Sequence, residues 1–217
     1  MKFSVLRLPC SGQTLNYETE VAPYLRHPVF AWLGLRPLLA QHTADEHAAL
    51  RRWASGRRTL VEIGVAEGVS ALALSEAMER GGTLYLIDPF HMTRASALNF
   101  TKRAAHRAMG NSSHGKIEWI EKFSYEATKD WTRPLDFLML DGDHSEAGVR
   151  RDWDDWSPHV GRDGVVVFHD ARIFSGGWTN SEYGPVKLVD SLFRRTRILN
   201  WKIVEEIHSM VVVQRTA

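Results

Sequence analysis

Two uninterrupted apolar runs, Phe137 to Leu140 in DFLML and Val165 to Phe168 in GVVVF, constrain this chain more than any other feature. A strand with one wet face alternates apolar and polar residues. A strand apolar at every position must be covered on both sides, as in a parallel sheet sandwiched between helices. Five further short runs read as strands, so the candidates are Thr59–Ile63, Thr83–Asp88, Lys116–Glu121, Leu135–Asp141, Gly164–Asp170, Trp201–Ile207 and Met210–Gln214. Amphipathic segments lie between most of them. Val69, Leu72, Ala73 and Ala77 share one helical face, as do Val149, Trp153 and Trp156, and later Val189, Leu192 and Phe193. The pattern predicts an α/β, doubly wound sheet. Its last two strands are joined across Ile207–Met210, too short a link for a crossover, and must pair antiparallel at one edge.

At 217 residues the chain suffices for one such domain with decoration and is short for two. Residues 1–42 differ from the rest, with Pro9, Pro23, Pro28 and Pro37 and weak periodicity; a helix is expected from Thr43, where Thr43 and Glu46 form a capping box. The expected division is an N-terminal arm, 1–42, and a single domain, 43–217. The arm reads as a lid over the active site, as a surface for a second subunit in a homo-oligomer, or as padding; all three stay open. Net charge is +1, which gives no electrostatic footprint for nucleic acid. Arg94, Lys102, Arg103 and Arg107 read as the solvated face of a helix. The single cysteine, Cys10, excludes an internal disulfide and a cysteine zinc site. No run approaches the ~20 apolar residues of a membrane span, and MKFSVLRLPC has too short an apolar core for a secretory signal. A cytoplasmic protein without nucleic-acid or membrane partners is expected.

The first strand runs into LVEIGVAEGVS, a strand, small-residue turn and helix start, where nucleotide-like ligands bind in open parallel sheets. A dinucleotide fingerprint needs glycines at its first, third and sixth positions. Counting from Gly64, Ala66 and Val69 occupy the third and sixth, so that fingerprint fails. Glu62 instead precedes the turn in Glu62-x-Gly64-x-Ala66-x-Gly68. An acid there repels a pyrophosphate and suits an ammonium group. The second strand ends in Asp88, placed to accept both hydrogen bonds of a ribose diol.

These motifs, with LDFLMLDGDH, resemble the class I S-adenosylmethionine-dependent methyltransferases from about Leu60 to the C-terminus. DGDHSEAGVRRDWDDW and RDGVVVFHDA resemble the bacterial branch that holds macrocin-type sugar O-methyltransferases. The resemblance implies a Rossmann-like seven-strand sheet with its last pair antiparallel. It also implies that Gly64 and Gly68 admit S-adenosylmethionine, that Asp88 holds its ribose and that Ser124 lies near the adenine.

Asp141, Asp143 and His144 follow the fourth strand, and His169 and Asp170 end the fifth. Two carboxylates in one crevice repel unless a cation or proton lies between them, and Mg²⁺ suits an oxygen-ligand pair such as Asp141 and Asp170. Metal-dependent O-methyltransferases of the catechol type carry an Asp after strand four and an Asp-Asn pair after strand five. Asp141 and Asp170 match the acids, but Ala171 stands in place of the Asn, which leaves the third ligand open. His144 replaces that family's lysine and is a candidate base, since imidazole titrates near neutrality. Asp141 would border cofactor and substrate. FSGGWTNSEYGP, with Trp178 and Tyr183, suits a substrate loop or plain packing. The expected activity is O-methylation of a small hydroxylated molecule of sugar or phenol type. The alternatives are a nicotinamide-dependent oxidoreductase and a catalytically inactive binding module of this fold.

Overall fold

The computed structural model describes residues 4–6, 17–19, 27–90, 99–110 and 114–216. Three short strands, β1 (Ser4–Leu6), β2 (Tyr17–Thr19) and β3 (Leu39–Ala40), form a small antiparallel sheet in the order β2-β1-β3. Helix α1 (His27–Leu33) precedes β3. Helix α2 (Ala44–Ala54) then starts at the expected cap: Glu46 N–H donates to Thr43 Oγ1 at 3.2 Å and Thr43 N–H to Glu46 Oε2 at 2.7 Å.

The main sheet contains β4 (Thr59–Ile63), β5 (Gly82–Ile87), β6 (Gly115–Ile120), β7 (Leu135–Leu140), β8 (Val160–Phe168), β9 (Trp201–Ile207) and β10 (Met210–Arg215). Their order is β6-β5-β4-β7-β8-β10-β9. The pairs from β6 to β8 are parallel, and β10 runs antiparallel to both β8 and β9. The seven-strand, mostly parallel sheet and its antiparallel C-terminal pair are as expected. Strand β8 begins at Val160, earlier than Gly164, because Val160 already pairs with Leu135 before the register shifts ahead of Phe137.

Helices α3 (Val69–Ala77) and α4 (Phe100–Met109) join α2 on one side of this sheet. On the other lie α5 (Ser124–Ala127), α6 (Glu146–Trp156) and α7 (Gly184–Val189), the last continued by a π-helical turn, Asp190–Arg195. Successive strand residues feed opposite layers. Val61, Ile63, Leu138, Leu140, Val166 and Phe168 meet Val149, Trp153, Trp156 and Leu188. Leu60, Leu84, Leu86, Phe137, Met139, Val165 and Val167 meet Leu50, Leu74, Ala105 and Met109. No helix among the described residues is long and apolar enough to cross a membrane.

Of the basic residues expected on one solvated helix face, Arg94 lies outside the described residues. Lys102 pairs with Glu121, while Arg103 and Arg107 reach Trp32, so exposed α4 cations also hold α1 in place.

Candidate functional site

Strand order reverses at β4 and β7, and the crevice at their C-terminal ends is where ligands enter open sheets. The ladder carries the chain ends there together. Gly64 N–H donates to Ile87 O, Asp141 N–H to Ile63 O and His169 N–H to Leu140 O, at 2.9–3.1 Å. Ala66, Phe90 and Asp170, one on each of three loops at this edge, have left-handed backbones at φ 48°, 48° and 52°. Strain of this kind concentrates at functional sites.

Gly64, at φ +87°, is required by the protein itself, because a Cβ there would lie 2.1 Å from the Asp141 carbonyl oxygen. Gly68, the left-handed cap of α3, faces Ala105 at 3.2 Å. Asp88 is also engaged by the protein. Its Oδ2 accepts from Val65 N–H (2.9 Å) and Ala66 N–H (3.2 Å), and its Oδ1 from Phe90 N–H (2.7 Å). It braces the turn.

Glu62 is wholly buried; the Ser70 hydroxyl donates to its Oε1, and its Oε2 has no partner. Burial, opposed by the Ser70 bond and reinforced by Asp141 and Asp88, pushes its pKa up to about 8.

Register decides the next group. Leu140 pairs with Phe168, so Asp141 meets His169 across the strands, and Asp170 falls one residue further on. His169 Nδ1 stands 3.0 Å from Asp141 Oδ1 and 3.5 Å from Asp170 Oδ1. From the loop after β7, His144 Nε2 lies 3.2 Å from the same Asp141 oxygen, and its Nδ1 lies 3.7 Å from Asp170 Oδ2. The Trp178 indole N–H donates to Asp170 Oδ1 at 2.6 Å. His169 is 2% exposed and His144 39%. Burial opposes a charge on His169, yet Asp141, Asp170 and Glu46 outweigh it and push its pKa up to about 10. Burial likewise opposes ionisation of Asp141, but His169 and His144 hold its carboxyl well below the usual range. The bond to Asp141 raises the pKa of His144 against its partial burial.

The Ser124 hydroxyl donates to Asp152 Oδ1 on α6. Burial pushes the Asp152 carboxyl up to about 6 despite that bond. Asp152 could not be singled out from sequence, where it is one of several acids in RRDWDDW. Glu67, inside the turn, carries no local sequence signal of its role either. Its Oε1 accepts from His27 Nδ1 (2.9 Å) and its Oε2 from Leu39 N–H (2.8 Å), which ties residues before 42 to the turn.

The expectation of Mg²⁺ on Asp141 and Asp170 finds no support. Mg²⁺ requires near-octahedral oxygen donors. Here Asp141 Oδ1 and Asp170 Oδ1 accept from imidazole and indole N–H groups, and buried Ala171 offers no third side-chain ligand. Among the described residues no group of three or more His, Cys, Asp or Glu could hold a metal ion.

Strand order, the antiparallel last pair and the ligand crevice define the class I methyltransferase type of α/β domain. A family described as a methyltransferase domain matches residues 61–171, just over half of the sequence, and the chain belongs to that family. An uncharacterized protein of Sinorhizobium fredii, y4gI, is 25% identical over 167 residues. That match takes in 68% of this chain, which spans only 18% of the relative's length. Three solved structures show the same fold. A protein of Corynebacterium glutamicum is 18% identical with a TM-score of 0.63, covering 92% of each chain. The O-methyltransferase TomG of Streptomyces achromogenes, involved in tomaymycin synthesis, is 12% identical at 0.62, covering 91% and 92%. An O-methyltransferase of Bacillus cereus is 12% identical at 0.60, covering 90% and 93%.

Proposed function

We propose that this chain is an S-adenosylmethionine-dependent O-methyltransferase acting on a hydroxyl of a small sugar- or phenol-type molecule. The observation that carries this reading is the convergence of Glu62, Asp88 and Asp141 on one crevice, with Glu62 Oε2 buried and unpartnered. Such a set attracts a cation and opposes a pyrophosphate. The fold agrees, since TomG was solved with S-adenosylmethionine and the Bacillus cereus enzyme with S-adenosylhomocysteine.

On this reading Glu62 answers the ammonium group of the cofactor. Asp88 holds the ribose diol with lone pairs left over from the turn, and Ser124 borders the adenine. Gly64 and Gly68 keep the turn low enough for the cofactor to approach. Bound there, S-adenosylmethionine would supply a sulfonium methyl group for in-line transfer to oxygen, the C–S electron pair leaving on sulfur. Asp141 fixes the tautomer of His144 by accepting from Nε2–H, which leaves Nδ1 to take the hydroxyl proton. Trp178, held by Asp170, and Tyr183, whose ring centroid is 6.2 Å from that of His144, stand beside this base as walls for the acceptor.

Titration calorimetry tests the reading. S-adenosylmethionine should bind and NAD should not, and Asp88→Ala should weaken the cofactor by roughly 1.5–3 kcal/mol, the scale of charged hydrogen bonds. Tighter binding of NAD than of S-adenosylmethionine would overturn it.

A further inference from the structure

Two acids at the tips of neighbouring strands repel unless a cation or a shared proton lies between them. In this chain the place is filled by side chains. His169 puts one nitrogen, Nδ1, within 4 Å of both Asp141 and Asp170, and His144 spans them with Nε2 toward Asp141 and Nδ1 toward Asp170. The four groups interlock, because Asp141 Oδ1 accepts from both imidazoles and Asp170 Oδ1 also holds the Trp178 indole. His169 is almost fully buried, and its second nitrogen, Nε2, meets no partner. Its polar attachment is therefore confined to the two carboxylates. Strand register produces this placement directly, with His169 rather than Asp170 opposite Asp141.

We propose that the His169 imidazole occupies the position between Asp141 and Asp170 expected for a divalent metal, so that this site works without metal and His169 is a positioning residue for Asp141 and His144. This rests on the methyltransferase reading for its purpose, and on geometry alone for its content. Held by His169, Asp141 keeps one oxygen fixed on His144, and the base is aimed without a metal to orient the acceptor. A Mg²⁺ ion would have to break the bonds of both imidazoles to gain two oxygen ligands, with Ala171 supplying no third.

Mn²⁺, a spectroscopic stand-in for Mg²⁺, tests this on the full chain without a known acceptor. Electron paramagnetic resonance of free Mn²⁺ should show no stoichiometric binding to the wild type at millimolar metal. His169→Ala, which uncovers both carboxylates, should bind Mn²⁺ at least tenfold more tightly. His169→Asn, whose amide nitrogen can replace Nδ1 as donor, should return the site toward wild type; a purely space-filling role for His169 would give no such rescue. If either variant fails to fold, as read by circular dichroism, the wild-type result still decides. Stoichiometric Mn²⁺ binding by the wild type, lost in Asp170→Asn, would overturn the proposal. Calorimetry with S-adenosylmethionine on the same samples keeps the two readings apart. Absence of cofactor binding would count against the methyltransferase reading, whereas Mn²⁺ binding alone would count against the His169 bridge.

Discussion

Glu62 shows how much chemistry one buried atom can carry. Its carboxyl is pushed up to about 8, so near pH 7 it is largely protonated, and a cation brought beside Oε2 favours its ionised form. Binding of S-adenosylmethionine at pH 7 should therefore release close to one proton. Calorimetry in buffers of different ionisation enthalpy measures that number, and Glu62→Gln should bring it near zero; equal release by both proteins would remove Glu62 from the ligand's surroundings. His144 has a second expectation. The bond to Asp141 raises its pKa, so the methyl-transfer rate should rise with pH through a value above the ordinary ~6.5 of imidazole. His144→Ala should lose that limb and about 10²–10⁴-fold of the rate while binding the cofactor normally. A variant within threefold of wild type would place the base elsewhere. The candidate residues stand out in sequence because Asp88 and Asp141 close apolar runs, Glu62 interrupts one, and His144 follows three residues after Asp141. The place of His169 depends on strand register, which no local pattern carries: Leu140 pairs with Phe168, and this sets His169 opposite Asp141.

At the scale of elements, the strands were readable because each is a short apolar run bounded by turn residues. Thr59–Ile63 and Trp201–Ile207 agree to the residue. The arm was not readable, because its anchor is a long-range contact that no local pattern announces. His27 and the Leu39 N–H both close on Glu67, a buried acid in the turn that Asp88 braces from the other side. The turn is thus clamped between β5 and the segment before residue 42. Glu67→Ala leaves a buried donor on His27 and a part-buried one at Leu39 N–H unpaired, at about 1–3 kcal/mol for the buried one and less for the other. It should loosen this turn before it loosens the sheet. Hydrogen exchange should speed at Val65 to Gly68 while protection across β7 and β8 is kept, and affinity for S-adenosylmethionine should fall. Unchanged exchange in the turn would show that the clamp contributes nothing.

Across the whole molecule, buried titratable groups cluster on the side of the sheet that α2 covers, and they pull stability in opposite directions with pH. His42 is buried against His47 at 3.0 Å; burial first, then His47 and His169, lowers its pKa to about 3. Its folded pKa is depressed, so its contribution is full above the unfolded value near 6.5 and is lost as pH falls toward 3. Glu62, raised to about 8, acts in reverse: it costs nothing below about 4.5 and progressively more as pH climbs to 8. His169, raised to about 10, contributes fully below 6.5 and less as pH rises toward 10. Between pH 8 and pH 5 the His42 loss is therefore masked in the wild type by gains from Glu62 and His169. The two signs separate in variants. His42→Gln can keep a hydrogen bond to His47 without a basic nitrogen, so its stability relative to wild type should improve by about 2 kcal/mol from pH 8 to pH 5, the worth of one and a half pH units. For a chain of this size that is about 4–8 °C in relative melting temperature. Glu62→Gln should show the opposite trend, losing ground to wild type over the same interval as the wild-type acid regains its proton. Thermal melts of the three proteins at matched pH would read both slopes. A His42→Gln difference that stays flat with pH would mean that His42 takes up its proton in the folded state as readily as in the unfolded chain.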